Sequence, residues 1–179
     1  MLDFVVGPFS VEEFEKYYRT LSDLQDYYIS IGSREPGPFG VGPDEARHIE
    51  RDPNHLIVFT NGGEIVGHCI WHETSTEDMI PGDPRDEEDR DCLLQLFEGE
   101  RVNLVELHEL WLRSEHRGKG FGHQFFDFFE DYVSGGGFDG IVYYTDHKAA
   151  IALCRKRGYR EALLKSAGWH VFALPFSID

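Results

Sequence analysis

The chain has 179 residues, with 33 acidic against 17 basic side chains and a formal net charge of −16. That length suits one domain, and a 41% hydrophobic and 14% aromatic content excludes a disordered acidic tail, which would be poor in aromatics. The charge argues against nucleic acid as the main partner, because phosphate binding needs a basic face, and against an anionic membrane surface on the same ground.

The three cysteines, Cys69, Cys92 and Cys154, are odd in number and widely spaced. They read as reduced thiols rather than a disulfide framework. The opening MLDFVVGPF carries no positive leader, and no run reaches the ~18 apolar residues of a membrane span. A cytoplasmic location is expected, with the protein a monomer or homodimer.

Residues 3–9 predict a short strand. Ser10 with Glu13 three residues on is a capping-box signature. Val11, Phe14, Tyr17, Tyr18, Leu21, Leu24 and Tyr28 then keep helical spacing, which predicts one helix to about residue 30. A Gly- and Pro-rich loop (32–43) leads to a short helix from Asp44. Residues 55–60 and 65–71 flank Asn61-Gly62-Gly63, a hairpin signal. Residues 73–91 carry nine carboxylates and read as a solvated loop, followed by a short helix at 92–98. The segment at about 73–100 is expected as an acidic insertion between the third and fourth strands of a single 1–179 domain. A long strand (102–112), a helix (121–133) ending at Gly135-Gly136-Gly137, a strand (140–145), a helix (148–157) stopped by Gly158, and two strands (159–164, 169–176) complete a mixed α/β order.

The turn Arg117-Gly118-Lys119-Gly120-Phe121-Gly122 lies between a strong strand and a strong helix. Glycines admit close backbone approach, and the first amides of a helix have no internal acceptor, so the site suits a pyrophosphate. Arg117 and Lys119 add two cations. A P-loop needs GK[ST], and here Gly120 follows Lys119; a dinucleotide fingerprint needs its third glycine one residue later than Gly122. An ordinary tight strand-to-helix turn is the remaining plain reading.

The string LWLRSEHRGKGFG resembles the [RQ]-x-x-G-x-[GA] motif of the GNAT N-acetyltransferase superfamily, with Arg117, Gly120 and Gly122 in its fixed places. HKAAIALCRKRGY is similar to the family's second motif, with Ala150, Leu153, Lys156, Gly158 and Tyr159 matching. The resemblance implies a mixed, mostly antiparallel twisted sheet flanked by helices, with parallel, splayed central strands. It implies acetyl-CoA as cosubstrate, its pyrophosphate held by the backbone of Arg117, Gly118, Lys119, Gly120, Phe121 and Gly122, and its pantetheine arm along Leu110, Trp111 and Leu112. Direct acetyl transfer to a primary amine in a ternary complex follows, no metal being expected. The alternative is a CoA-binding module with little catalysis.

Two carboxylates are candidate bases for the amine proton, Glu106 and Glu109. They lie an odd number of residues apart, so on a regular strand they face opposite sides unless a bulge intervenes. Two positions depart from the family pattern: Cys154 stands where the thiolate-protonating tyrosine is expected, and His147 where an asparagine is expected, in the cofactor-binding set. The general acid is therefore Cys154, or Tyr143 or Tyr144 of the preceding strand, or water.

His68, Cys69 and His72 invite a zinc reading, but alternation turns Cys69 away from both histidines; partly exposed strand histidines, or histidines lining the acceptor side, are the other readings. Phe125 and Phe129 define a core stripe, with Phe126 or Phe128 left as a candidate dimer contact. The acidic stretch is expected either to draw in a cationic amine or only to keep the chain dispersed.

Overall fold

The computed structural model describes residues 1–99 and 102–176. In chain order the elements are β1 (Asp3–Val6), α1 (Val11–Tyr18), α2 (Ser22–Ser30), α3 (Pro43–Arg51), β2 (Leu56–Asn61), β3 (Glu64–Ser75), α4 (Pro84–Phe97), β4 (Asn103–Leu112), α5 (Phe121–Ser134), β5 (Gly140–Thr145), α6 (Lys148–Lys156), β6 (Arg160–Leu164) and β7 (Trp169–Pro175). The strands form one sheet in the order β1-β2-β3-β4-β5-β7-β6. β4 and β5 run parallel, whereas β1–β2, β2–β3, β5–β7 and β6–β7 are antiparallel. The β4–β5 register runs from Leu104↔Gly140 to Leu107↔Tyr143, although β4 continues five residues further, to Leu112.

Two compact units are delimited, one from Met1–Ile70 with Glu109–Gln124, the other from Trp71–His108 with the chain from Phe125 onward. In the first, the capping box forms as expected, with Ser10 Oγ accepting from the Glu13 amide. The helix expected to run to residue 30 is instead two. Thr20 Oγ1 donates to the Tyr17 carbonyl at 2.7 Å, and the amides of Thr20 and Leu21 turn to acceptors three residues back. A threonine hydroxyl that captures a backbone carbonyl competes with the helical ladder in this way. The apolar set survives the break: Phe14, Tyr17, Tyr18, Leu21 and Leu24 pack with Ile49, Leu56, Val58 and Ile70 in one core. Gly67 serves a close approach, since a Cβ there would lie 2.6 Å from the Trp111 carbonyl oxygen.

In the second unit the acidic stretch does not stay a loop. Asp83 caps α4 by accepting from the amides of Arg85 and Asp86, and Pro84 occupies the first turn, a favoured start. Leu93 and Leu96 anchor the helix to Leu104, Val142, Leu164 and Val171. The insertion begins beyond Ser75; its expected end at about residue 100 lies outside the described residues. Phe126 is fully buried with Phe125 and Phe129, so it is core and not a dimer contact, while Phe128 stacks on Tyr132.

Candidate functional site

The strand-to-helix turn is built within the first unit. Gly118 and Gly120 have φ of +74° and +80°, left-handed values that favour glycine. The Gln124 amide bonds the Gly120 carbonyl. Phe121, Gly122 and His123 therefore precede it in the first turn of α5, where a helix has no internal acceptor for its amides. Gly118, Lys119 and Gly120 are exposed. A ring of outward amides at the positive end of a 14-residue helix fits a phosphate group.

Arg117 does not stand free as a second cation. Its Nε donates to the Leu112 carbonyl at 2.8 Å and its Nη2 to Asp23 Oδ2 at 2.8 Å, and its guanidinium lies 4.6 Å from the Trp111 ring centroid. The motif arginine is thus a strut that ties the turn to the end of β4 and to α2, leaving Lys119 as the exposed cation of the hexapeptide. Arg113 does similar work one step earlier, its amide donating to the Val66 carbonyl and its side chain to Ile65 and Thr20. Leu110, Trp111 and Leu112 are half-buried at the end of β4.

The two candidate bases have unlike surroundings. Glu109 is 5% exposed. Its Oε1 accepts from His68 Nε2 at 2.6 Å, and its Oε2 accepts from Tyr18 Oη at 3.0 Å and from Tyr28 Oη. Tyr17 Oη closes the network on His68 Nδ1 at 3.0 Å. With the ring proton on Nε2, His68 donates to Glu109 and accepts from Tyr17. Burial by itself would raise the Glu109 carboxyl, but the His68 bond, that ring's charge when protonated, and the tyrosine bonds hold it below the usual carboxylate range. Burial first, and then the Glu109 charge, push the Tyr18 and Tyr28 phenols above their ordinary value. Arg34 lies over the rings of Tyr18, Tyr28 and Phe39. No motif pointed to the tyrosines of this network; their only signal was three phenols on helices whose other core positions are plainly apolar.

Glu106 belongs to the second unit and is half-buried, as is its partner His72, whose Nε2 lies 3.1 Å from Glu106 Oε2. Its charge, with burial the larger cause, helps raise the Asp89 carboxyl, which accepts from Tyr144 Oη at 2.7 Å. Histidines four apart on β3 thus meet glutamates three apart on β4. An even spacing matched to an odd one is not what strict alternation along both strands allows.

Cys154 lies on α6 with no exposure, and burial pushes its thiol up to about 12. Nearby, Tyr159 Oη donates to Glu130, which also takes Arg157. His147 caps α6, its amide donating to Thr145 Oγ1 at 3.1 Å. Tyr143 is buried in β5.

Five of the nine carboxylates between residues 73 and 91 hold the insertion itself. Asp83 caps α4, Asp86 and Glu87 accept from the amides of Ile80 and Gly82, Glu88 from those of Lys165 and Ser166, and Asp89 from Tyr144.

A family profile described as the acetyltransferase (GNAT) family matches residues 17–159. The chain belongs to the GNAT acetyltransferase family. No curated protein matches this GNAT chain by sequence. Among solved structures it resembles a Drosophila melanogaster polyamine N-acetyltransferase that forms N-acetylagmatine (TM-score 0.63, 15% identity, 97% of this chain and 100% of that one). It also resembles arylalkylamine N-acetyltransferase 2 from Aedes aegypti (0.67, 13%, 98% and 99%). A third is the ribosomal-protein-S18-alanine N-acetyltransferase of Escherichia coli (0.52, 14%, 100% and 96%). The expected sheet, with its parallel central pair, is the GNAT one, and the chain is an N-acetyltransferase by family and fold. No helix among the described residues is long and apolar enough to cross a membrane.

Proposed function

We propose that this GNAT enzyme uses acetyl-CoA to acetylate a primary amine of a small cationic molecule or peptide, by direct transfer in a ternary complex. The observation that carries the cofactor half is the turn itself. Two left-handed glycines and the first amides of α5 form a backbone anion site, and Arg117 is spent on bracing it. Acetyl-CoA, bound there by its pyrophosphate, supplies an activated thioester. The amides at Leu110, Trp111 and Leu112 are assigned to the pantetheine arm, and those of the turn, Arg117 to Gly122, to the phosphates. His147, at the start of α6, completes the cofactor-binding set.

An amine near its ordinary pKa of ~10 must shed a proton before it can attack. Glu106 is assigned this task, directly or through water, because its carboxylate keeps solvent access and a single histidine contact, His72. Glu109, with both oxygens already occupied in a sealed pocket, is better suited to holding β3 and β4 against α1 and α2. For the departing thiolate the sealed Cys154 thiol is a poor donor, and the Tyr144 proton is directed at Asp89. Tyr143, buried in β5, or water is the remaining source, and a thiolate with a conjugate-acid pKa near ~8.5 needs little help at neutral pH.

The fold relatives named for polyamine, agmatine and arylalkylamine chemistry and the net charge of −16 both favour a cationic acceptor over nucleic acid or membrane. The protein is placed in the cytoplasm, as a monomer or homodimer. The test supplies acetyl-CoA with a panel of polyamines, arylalkylamines and N-terminal peptides and follows free-thiol release. Turnover with at least one cationic amine is expected. The Glu106→Gln variant should lose about 10²-fold or more in kcat together with the acid limb of the wild-type pH profile; retention of both would remove Glu106 from its role. A second reading, a CoA-binding module with little catalysis, is favoured by Cys154 in the tyrosine position. Tight CoA binding without thiol release for any amine would establish it.

A further inference from the structure

Among the described residues, two groups bring three metal-ligating side chains together: His72, Glu106 and His108, and His48, Asp52 and His55. In each, the donor atoms lie within 4.8 Å of one another. The second group is compromised. Arg51 Nε already bonds Asp52 Oδ2 at 2.5 Å, and Arg51 Nη2 lies 3.3 Å from His48 Nδ1, so a guanidinium occupies the place a cation would take.

The first group joins two neighbouring strands of the sheet. Glu106 and His108 are two apart on β4, their donor atoms lie within 4.8 Å of each other, and His72 approaches them from β3. His72 Nε2 and Glu106 Oε2 are 3.1 Å apart, and the His72 and His108 rings have centroids 5.4 Å apart. Around an ion with bonds of about 2.0–2.2 Å, tetrahedral donors lie about 3.3 Å apart. One edge of the polyhedron is therefore already set, and the other donor atoms lie within 4.8 Å of one another. Two imidazoles and one carboxylate with open positions are the donor set of borderline divalent ions such as zinc.

We propose that His72, Glu106 and His108 bind one divalent transition-metal ion of the zinc class, with water completing its coordination. Binding would be reversible. One consequence rests on the base assignment made above: a metal on the Glu106 carboxylate takes the lone pairs that the amine proton requires, so zinc would inhibit acetyl transfer.

The test uses the full chain without a polyhistidine tag, titrated with Co²⁺ and read by visible absorption, which needs no turnover. One equivalent of Co²⁺ is expected, displaced by Zn²⁺. His108→Ala, at an exposed position, should weaken binding about tenfold or more, with Glu106→Gln doing the same and His48→Ala leaving it unchanged. Absence of saturable Co²⁺ binding, or binding that persists in His108→Ala and Glu106→Gln but is lost in His48→Ala, would overturn the site. Metal bound at this trio without slowing acetyl transfer would leave the site standing and count against Glu106 as the base.

Discussion

Replacing Glu109 by glutamine separates a structural carboxylate from a catalytic one. The wild-type oxygens accept three bonds, from His68, Tyr18 and Tyr28, in a pocket that leaves Glu109 5% exposed. Hydrogen bonds to a charged group contribute about 1.5–3 kcal/mol each, against about 0.5–1.5 kcal/mol for neutral ones. Glutamine also offers a single acceptor oxygen. Its amide nitrogen must face either the two tyrosine hydroxyls or the His68 N–H, so at least one donor must turn away. A loss of about 3 kcal/mol is expected, which for a domain of this size lowers Tm by about 6–12 °C. The loss has a signature in pH. The folded Glu109 carboxyl lies below its ordinary value of 4.5, so its stabilising contribution is complete above that value. It disappears as pH falls through the lower folded value. Urea denaturation at a series of pH values should show a wide gap between wild type and variant at neutral pH that narrows below about 4.5. The Glu106→Gln variant, changed at a half-exposed position, should keep Tm within about 2 °C. A Glu109→Gln protein within about 1 kcal/mol of wild type at pH 7, or a gap unchanged by acid, would refute the assignment of Glu109 to structure.

Three further outcomes are expected. Gly120→Ala places a side chain at φ +80°, costing about 1–2 kcal/mol at the turn; the acetyl-CoA KM should rise several-fold, and an unchanged KM would detach the turn from the cofactor. Arg117→Ala removes the Asp23 ion pair, the Leu112 bond and the Trp111 contact. It should raise the same KM about tenfold, with kcat at saturation changed much less, and a lowered kcat alone would show a chemical role instead. Cys154→Ala should leave kcat within about twofold while lowering stability by about 1 kcal/mol, and a kcat loss above tenfold would restore the thiol as proton donor.

The sequence carried the turn, the strand before it and the helix after it because backbone chemistry there is written in glycines, and glycines have few other reasons to cluster. It was a weaker guide where polar side chains do structural work. Asp83-Pro84 is a cap followed by a favoured first-turn residue, yet the surrounding carboxylates make α4 look like solvated chain; only Leu93 and Leu96 are buried along its length. The break between α1 and α2 depends on one hydroxyl, that of Thr20, which no periodicity registers. The pairings His68–Glu109 and His72–Glu106 join residues 41 and 34 positions apart in sequence, and they do not follow strict alternation along both strands. Strict alternation, the rule available to a sequence, places those two glutamates on opposite faces. Arg117 has the same lesson in reverse: its place in the motif was plain, but its partners Asp23 and Trp111 lie far off in sequence or hidden in the strand.

The phenols sealed in the interior give this enzyme an optical gauge of its own folding at alkaline pH. Burial raises the hydroxyls of Tyr17, Tyr18, Tyr28, Tyr144 and Tyr159 above their ordinary value of 10.0. They are five of the eight tyrosines in the chain, so most of the tyrosinate colour stays hidden while the fold lasts. A folded state that holds these protons more tightly than the unfolded chain loses stability as pH climbs past that value. The buried five would appear together in one steep step as the fold opens, reporting the collapse of both units without any added dye.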